Sequence, residues 1–262
     1  MTTEERSDSP QLSGSELGRL LKLLKGADSV ELKLTVPASE QIATIRSLPL
    51  DPVEAQPRQV FFFDTPDLAL NAAGVVVRAR RIQGGRADSV VKLRPVEPAD
   101  LPADLRRNPG FNVEVDALPG GFVCSGRLRA KLTGDEVRAA IGGAVPVRRI
   151  FTRDQREFYR AHAPAGLELD ALVALGPTFV LKATFPVKEL GRPLVGELWL
   201  YPDGSRILEL STKCEPAVAF QVAAEARAYL ADRGIPLTGV QQTKTKIALE
   251  FFARQHQAEA AT

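Results

Sequence analysis

Arginine and lysine recur at every second position in two neighbouring stretches of this 262-residue chain. In Val75-Val76-Val77-Arg78-Ala79-Arg80-Arg81 the alternation puts Arg78 and Arg80 on one face of a strand. In Ser89-Val90-Val91-Lys92-Leu93-Arg94 it puts Lys92 and Arg94 on one face, with Val91 and Leu93 on the other. Four cations on one surface suit a multiply charged anion, because guanidinium and ammonium groups make charge-assisted hydrogen bonds to its oxygens. The same alternation would serve an ordinary half-buried sheet that turns its charges to water, so the rest of the chain has to decide between the two.

Carboxylates and further cations occupy alternate positions elsewhere. Ser29 to Val36 places Ser29, Glu31 and Lys33 on one face before Pro37 ends the run. Asn112 to Ala117 carries Glu114 and Asp116, Leu167 to Asp170 alternates again, Thr178 to Phe185 carries Lys182, and Leu194 to Tyr201 carries Glu197. Arg206 to Lys213 carries Glu209 and Lys213, while Val147 to Tyr159, a strand reading of unsettled phase, carries Arg148, Arg149, Arg153 and Arg156. The carboxylates would serve either as hard oxygen ligands for a divalent metal or as ion-pair partners for the cations.

The composition narrows the chemistry. Thirty-four Lys and Arg against thirty-two Asp and Glu leave a net charge of +2, which gives no generic surface for nucleic acid or membrane. Cys124 and Cys214 make no disulfide framework, and two His offer no Cys/His metal spacing, so a cytoplasmic setting is expected. No apolar run approaches the ~20 residues that span a bilayer, and Met1 to Pro10 is too polar for a signal peptide.

The positioning elements follow from caps and turns. Ser13 with Glu16 predicts a capped helix bearing Leu17, Leu20, Leu21 and Leu24 and stopping at Gly26. Further helices are predicted over Ser39 to Leu48, from Thr133 and Glu136 towards Ile141, over 216–233 and over about 244–257. Pro95 to Pro109 reads as a surface loop. Gly84-Gly85 and Pro202-Asp203-Gly204 predict tight hairpins among roughly nine strands. Residues 1–12 read as a mobile tail and 13–262 as a single domain. The fold class expected is α+β: a closed antiparallel β-barrel with aliphatic residues under flanking helices and charged residues lining the lumen.

These residues resemble the CYTH or triphosphate tunnel metalloenzyme family, which includes inorganic triphosphatases, thiamine triphosphatases and class IV adenylyl cyclases. The resemblance spans about residues 28–250 and is most specific at Phe63-Asp64-Thr65-Pro66-Asp67-Leu68, Gly74, Val77-Arg78-Ala79-Arg80 and Val91-Lys92-Leu93-Arg94. It implies phosphate binding by Arg78, Arg80, Lys92 and Arg94, with Arg153, Lys182, Lys213 and Lys244 as further contacts. It also implies Mg²⁺ or Mn²⁺ on Glu31, Asp170, Glu197 and Glu209, with Glu31 and Lys33 as the catalytic pair. The implied activity is metal-dependent hydrolysis of inorganic triphosphate or a small triphosphorylated compound. The alternatives are a non-catalytic tunnel for polyphosphate or a nucleotide, and an adenylyl cyclase. Where the family has two Glu-x-Glu pairs, this chain has Ser29-Val30-Glu31 and Glu209-Leu210-Ser211, so weakened metal binding and slow turnover are expected.

Overall fold

Nine strands close into one barrel in a computed structural model, which describes residues 12–237, 241 and 243–260. They are β1 (Ser29–Val36), β2 (Gln56–Asp64), β3 (Val75–Ile82), β4 (Arg86–Leu93), β5 (Phe111–Leu118), β6 (Gly121–Thr133), β7 (Val173–Val187), β8 (Arg192–Leu200) and β9 (Arg206–Cys214). Their order around the barrel is β1-β5-β6-β4-β3-β2-β7-β8-β9, closed by β9 against β1 with Val30 opposite Cys214. Neighbours run antiparallel except β1 and β5, which are parallel. The helices are α1 (Gly14–Gly26), α2 (Gln41–Ser47), α3 (Ala69–Ala72), α4 (Ala103–Arg106), α5 (Gly134–Ile141), α6 (Arg153–Arg160), α7 (Ala219–Ala231) and α8 (Lys244–Ala260). None of the described helices is long and apolar enough to cross a membrane.

The barrel is built with its apolar side outwards. On β3, Val75, Val77 and Ala79 are buried outside among residues of α1, α5 and α6, while Val76, Arg78 and Arg80 line the lumen. A second outer cluster joins Leu34, Phe185, Leu194 and Leu210 to Tyr229 and Leu230 of α7. The third differs. Ala248, Leu249 and Phe252 of α8 pack on the inward-facing Val60, Phe62, Val180 and Trp199, so this helix lies across one mouth of the barrel.

The caps that the sequence announces are made. Ser13 accepts from the Glu16 backbone and its own N–H donates to Glu16 Oε2 at 2.7 Å, and Thr133 and Glu136 repeat the exchange on α5. On α1 the buried stripe is Leu20, Leu23 and Leu24, with Leu17 and Leu21 exposed. The 95–109 segment contains α4, which Arg106 ties down by donating to Gly26 O at 2.7 Å.

Three strand expectations differ from the structure. Residues 147–159 form a short 3-10 turn and then α6, because Thr152 and Gln155 make a third capping box. Gln155 is fully buried: its amide donates to Ser89 O and Leu128 O and its carbonyl accepts from Ser89 Oγ, which fixes α6 to the outside of β4 and β6. Residues 169–171 are another 3-10 turn rather than a strand. The missing ninth strand is β6, whose Arg127, Arg129 and Lys131 alternate as Arg78 and Arg80 do. The tail read over 1–12 lies outside the described residues apart from Leu12.

Gly74 couples this scaffold to the cationic strands. It sits at φ +74 with its carbonyl accepting from Arg94 N–H at 2.8 Å, and a Cβ there would lie 2.7 Å from Arg94 O. Gly84 also has positive φ, +81, but faces open space. Gly74→Ala is expected to cost about 1–3 kcal/mol in urea unfolding and Gly84→Ala about 1 kcal/mol. Equal losses at the two glycines would show that the Arg94 backbone gives way freely.

Candidate functional site

Thirteen Lys and Arg side chains and five carboxylates line one cavity of about 510 Å³, counted among the described residues; Lys244 and Lys246 come from α8 and the others from the barrel strands and their ends. The excess of eight cations decides the kind of ligand, since a buried cation costs several kcal/mol unless a counter-charge meets it. The cavity also lies in the size range of small-molecule sites.

The cations of β3 and β4 fall into two groups. Arg80 Nη2 donates to Asp88 Oδ2 at 2.5 Å, and Arg129 Nη2 reaches the same oxygen at 2.9 Å. No carboxylate pairs with Arg78 among the described residues, and its buried Nε has no hydrogen-bond partner. Burial, helped by neighbouring Arg80, pushes the Arg78 guanidinium down to about 10. Arg58, missed in the sequence, is likewise pushed down to about 10 by burial and Arg80, and among the described residues its guanidinium donates to Gln56 Oε1 alone, at 2.7 and 3.1 Å. Burial also lowers Lys182, although it sits opposite Glu197 on β8. This part of the lumen is short of negative charge.

The parallel β1–β5 pair builds an acidic centre next to it. In register, Ser29 faces Glu114 and Glu31 faces Asp116. Ligand oxygens of Glu31, Glu114 and Asp116 lie within 4.8 Å of one another, a hard-oxygen donor set suited to a divalent cation. Lys33 Nζ contacts Glu31 at 3.0 Å and Asp116 at 2.8 Å, while Lys213 bonds Glu114. Lys92, Arg94 and Arg127 stand farther off, at 3.6, 3.7 and 3.9 Å from Asp116 or Glu114. Burial opposes charge on both Lys33 and Asp116, but their mutual attraction wins. Asp116, Glu31 and Glu209 hold the lysine well above its ordinary value, and Lys92 and Lys33 hold the aspartate well below the usual carboxylate range. Burial pushes Lys92 down to about 8 against the pull of Asp116.

The second acidic pair is Glu197 and Glu209, opposite each other on β8 and β9, and Lys244 Nζ lies between them at 2.5 and 2.6 Å. Ser211 faces Lys33 across β9 and β1. Of the residues singled out in the sequence, Glu31, Lys33, Arg78, Arg80, Lys92, Arg94, Lys182, Glu197, Glu209, Lys213 and Lys244 all line the one cavity. Two do not. Arg153 opens α6 on the outside, 84% exposed and paired with Glu157 at 2.8 Å. Asp170 sits in an outer 3-10 turn, where its carboxylate accepts from the backbone and guanidinium of Arg148. Glu114, Asp116, Arg127 and Arg129 were unassigned, although Asn112 to Ala117 and Arg127-Leu128-Arg129 show the same period of two. Asp64 of the resemblance motif plays a structural part: its buried carboxylate accepts from the N–H groups of Thr65, Leu70 and Asn71 and shapes the loop before Gly74.

No family model matches the chain and no curated protein matches it. Among solved structures, a candidate adenylate cyclase from Bacillus halodurans superposes with a TM-score of 0.58 at 13% identity, covering 84% of this chain and 98% of that one. A candidate adenylyl cyclase from Hippeastrum, described as having a dominant triphosphatase activity, gives 0.59 at 17% identity, with 81% and 91% covered. At these identities the likeness is one of fold. The closed nine-stranded barrel with flanking helices is the CYTH tunnel fold, in agreement with the resemblance read from the sequence.

Asp116→Asn is expected to cost about 3–5 kcal/mol at pH 7, because Lys33 loses a partner in a site where Asp116 is only 1% exposed. A carboxylate whose folded pKa is depressed contributes stability that is complete above its unfolded value near 4 and is lost as pH falls through the folded one. The gap between wild type and variant should therefore narrow in urea unfolding from pH 5 to pH 3. A gap unchanged over that interval would show that packing, not charge, sets the cost.

Proposed function

We propose that this protein is a divalent-metal-dependent phosphohydrolase acting on inorganic triphosphate or a small triphosphorylated compound. The observation that carries the reading is the single cavity holding both an excess of eight cations and the Glu31, Glu114 and Asp116 cluster. A triphosphate needs both: cations to neutralise its oxygens and carboxylates to retain the metal that accompanies it. In this reading Arg78, Arg80, Arg58 and Lys182 bind the phosphate chain, Lys92, Arg94 and Arg127 exchange their loose carboxylate contacts for phosphate oxygens, and the half-exposed Lys213 turns to them from Glu114.

Mg²⁺ or Mn²⁺ on the three carboxylates would supply Lewis-acid polarisation of the phosphate and of water. Glu31 is the acid of that cluster closest to solvent, its side chain 18% exposed against 3% for Glu114 and 1% for Asp116, and it is suited to orienting the attacking water. Lys33, held protonated by Asp116 and Glu31, acts as a fixed positive charge and hydrogen-bond donor rather than as a general acid or base. Ser29 in place of a glutamate is offset by Glu114 opposite it, which supports a working metal centre.

The fold neighbours described as adenylyl cyclases motivate a second reading, with a nucleoside triphosphate as substrate. The cavity argues for the smaller ligand. Its aromatic side chains among the described residues are Phe62 and Trp199, 1% and 4% exposed, and neither offers an open face to a base.

Phosphate release from triphosphate, ATP and thiamine triphosphate, each with Mg²⁺ or Mn²⁺, tests the proposal. Release from one of the three, abolished by chelation, is the expected result. No release from any would remove hydrolysis and leave an anion-binding tunnel. In calorimetry, Arg78→Ala is expected to weaken triphosphate binding by about 1.5–3 kcal/mol, roughly 10- to 150-fold, with no loss of folding. Unchanged affinity would take Arg78 out of the site.

A further inference from the structure

Glu197 and Glu209 are cross-strand neighbours on the inner face of the barrel, and they would be expected to attract a cation of their own. One is already there, supplied by the chain. Lys244, the first residue of α8, reaches both carboxylates, and several contacts hold it. The Tyr201 hydroxyl donates to the Lys244 carbonyl at 3.1 Å, and the ammonium lies 5.0 Å from the centre of the Trp199 ring. Trp199 Nε1 in turn donates to Glu197 Oε2 at 3.2 Å. Behind Lys244, the buried Ala248, Leu249 and Phe252 seat the helix in the barrel mouth.

Resting on the metal-dependent reading above, we propose that Lys244 is a built-in counter-ion that closes Glu197 and Glu209 to metal and limits the tunnel to one divalent ion, at Glu31, Glu114 and Asp116. The two acidic centres differ in how firmly their cations are held. Lys244 makes two short contacts with two acids, is 16% exposed, and is anchored at its backbone by Tyr201 and by α8. At the other centre Lys33 contacts Glu31 and Asp116 but not Glu114, whose own partner is Lys213. Lys213 is 45% exposed, and Lys92, Arg94 and Arg127 are not within hydrogen-bonding distance. A divalent ion entering with phosphate can displace those loose contacts, because the phosphate oxygens receive the released side chains. At Glu197 and Glu209 it would have to sit beside the Lys244 ammonium, whose repulsion is little screened in a site of low dielectric.

Counting bound Mn²⁺ by electron paramagnetic resonance tests this on the full chain, with and without a non-hydrolysable imido analogue of triphosphate. Wild type should saturate at one ion per chain with the analogue present. Lys244→Met should take one ion more under the same conditions, and Lys244→Arg should not. Two ions in wild type, or the same count in wild type and Lys244→Met, would overturn the proposal. Should Lys244→Met fail to fold, the double substitution Glu197→Gln with Glu209→Gln decides: an unchanged single ion supports the proposal and its loss overturns it. If wild type binds no Mn²⁺ but Lys244→Met binds one, the counter-ion role stands and the metal centre assigned to Glu31, Glu114 and Asp116 falls. If neither binds Mn²⁺, both fall. An unchanged count together with metal-dependent phosphate release would leave the hydrolase standing without the counter-ion.

Discussion

A ring of inward-facing like charges cannot hold a barrel together. Burial of apolar surface is the main favourable term in folding, and here the lumen supplies little of it. Most of the aliphatic residues of the strands are therefore turned outwards, where α1, α5 and α6 cover one side and α7 covers another, while Val60, Phe62, Val180 and Trp199 face inwards under α8. The helices are part of the core in the strict sense that without them Val75, Val77 and Ala79 would face water. Three of the covering helices, α1, α5 and α6, are fixed at their starts by full capping boxes at Ser13, Thr133 and Thr152.

Charge inside the lumen is organised by strand neighbours more than by sequence neighbours. The acid expected at position 29 is a serine, yet the parallel β1–β5 pairing brings Glu114 opposite it, so the local negative charge is restored from a strand 85 residues away along the chain. Asp88 works in the same manner for Arg80 and Arg129, one carboxylate serving two guanidinium groups from flanking strands. What stays uncompensated is the stretch around Arg78, Arg58 and Lys182, and it is there that burial lowers the basic groups.

Most of the barrel was legible because its signal is short-ranged. Period-two alternation identified the inward faces of β1, β3, β4, β8 and β9, and the dipeptide Gly84-Gly85 and the Pro202-Asp203-Gly204 turn marked two hairpins. The errors share a cause. Arg153 was assigned to the tunnel by the resemblance, within a run of unsettled strand phase, but Thr152 and Gln155 start a helix there and Arg153 faces outwards from it. Asp170 was assigned by the resemblance, in an alternating tetrapeptide too short to exclude the 3-10 turn that is found there. Glu114 and Asp116 were visible as a pair but had no assigned partner, since strand order in a closed barrel, and above all a parallel pairing between β1 and β5, is set by long-range packing that no local pattern records.

A helix lying across one mouth changes what the barrel is. With α8 seated on Val60, Phe62, Val180 and Trp199, the passage is blind at that side. For a linear anion such a lumen would be one-ended: the anion would enter tip first, its far end would stay outside, and the way in would also be the way out. Selectivity under that geometry is a matter of termini rather than of length, since the site meets only the leading groups of whatever is presented to it.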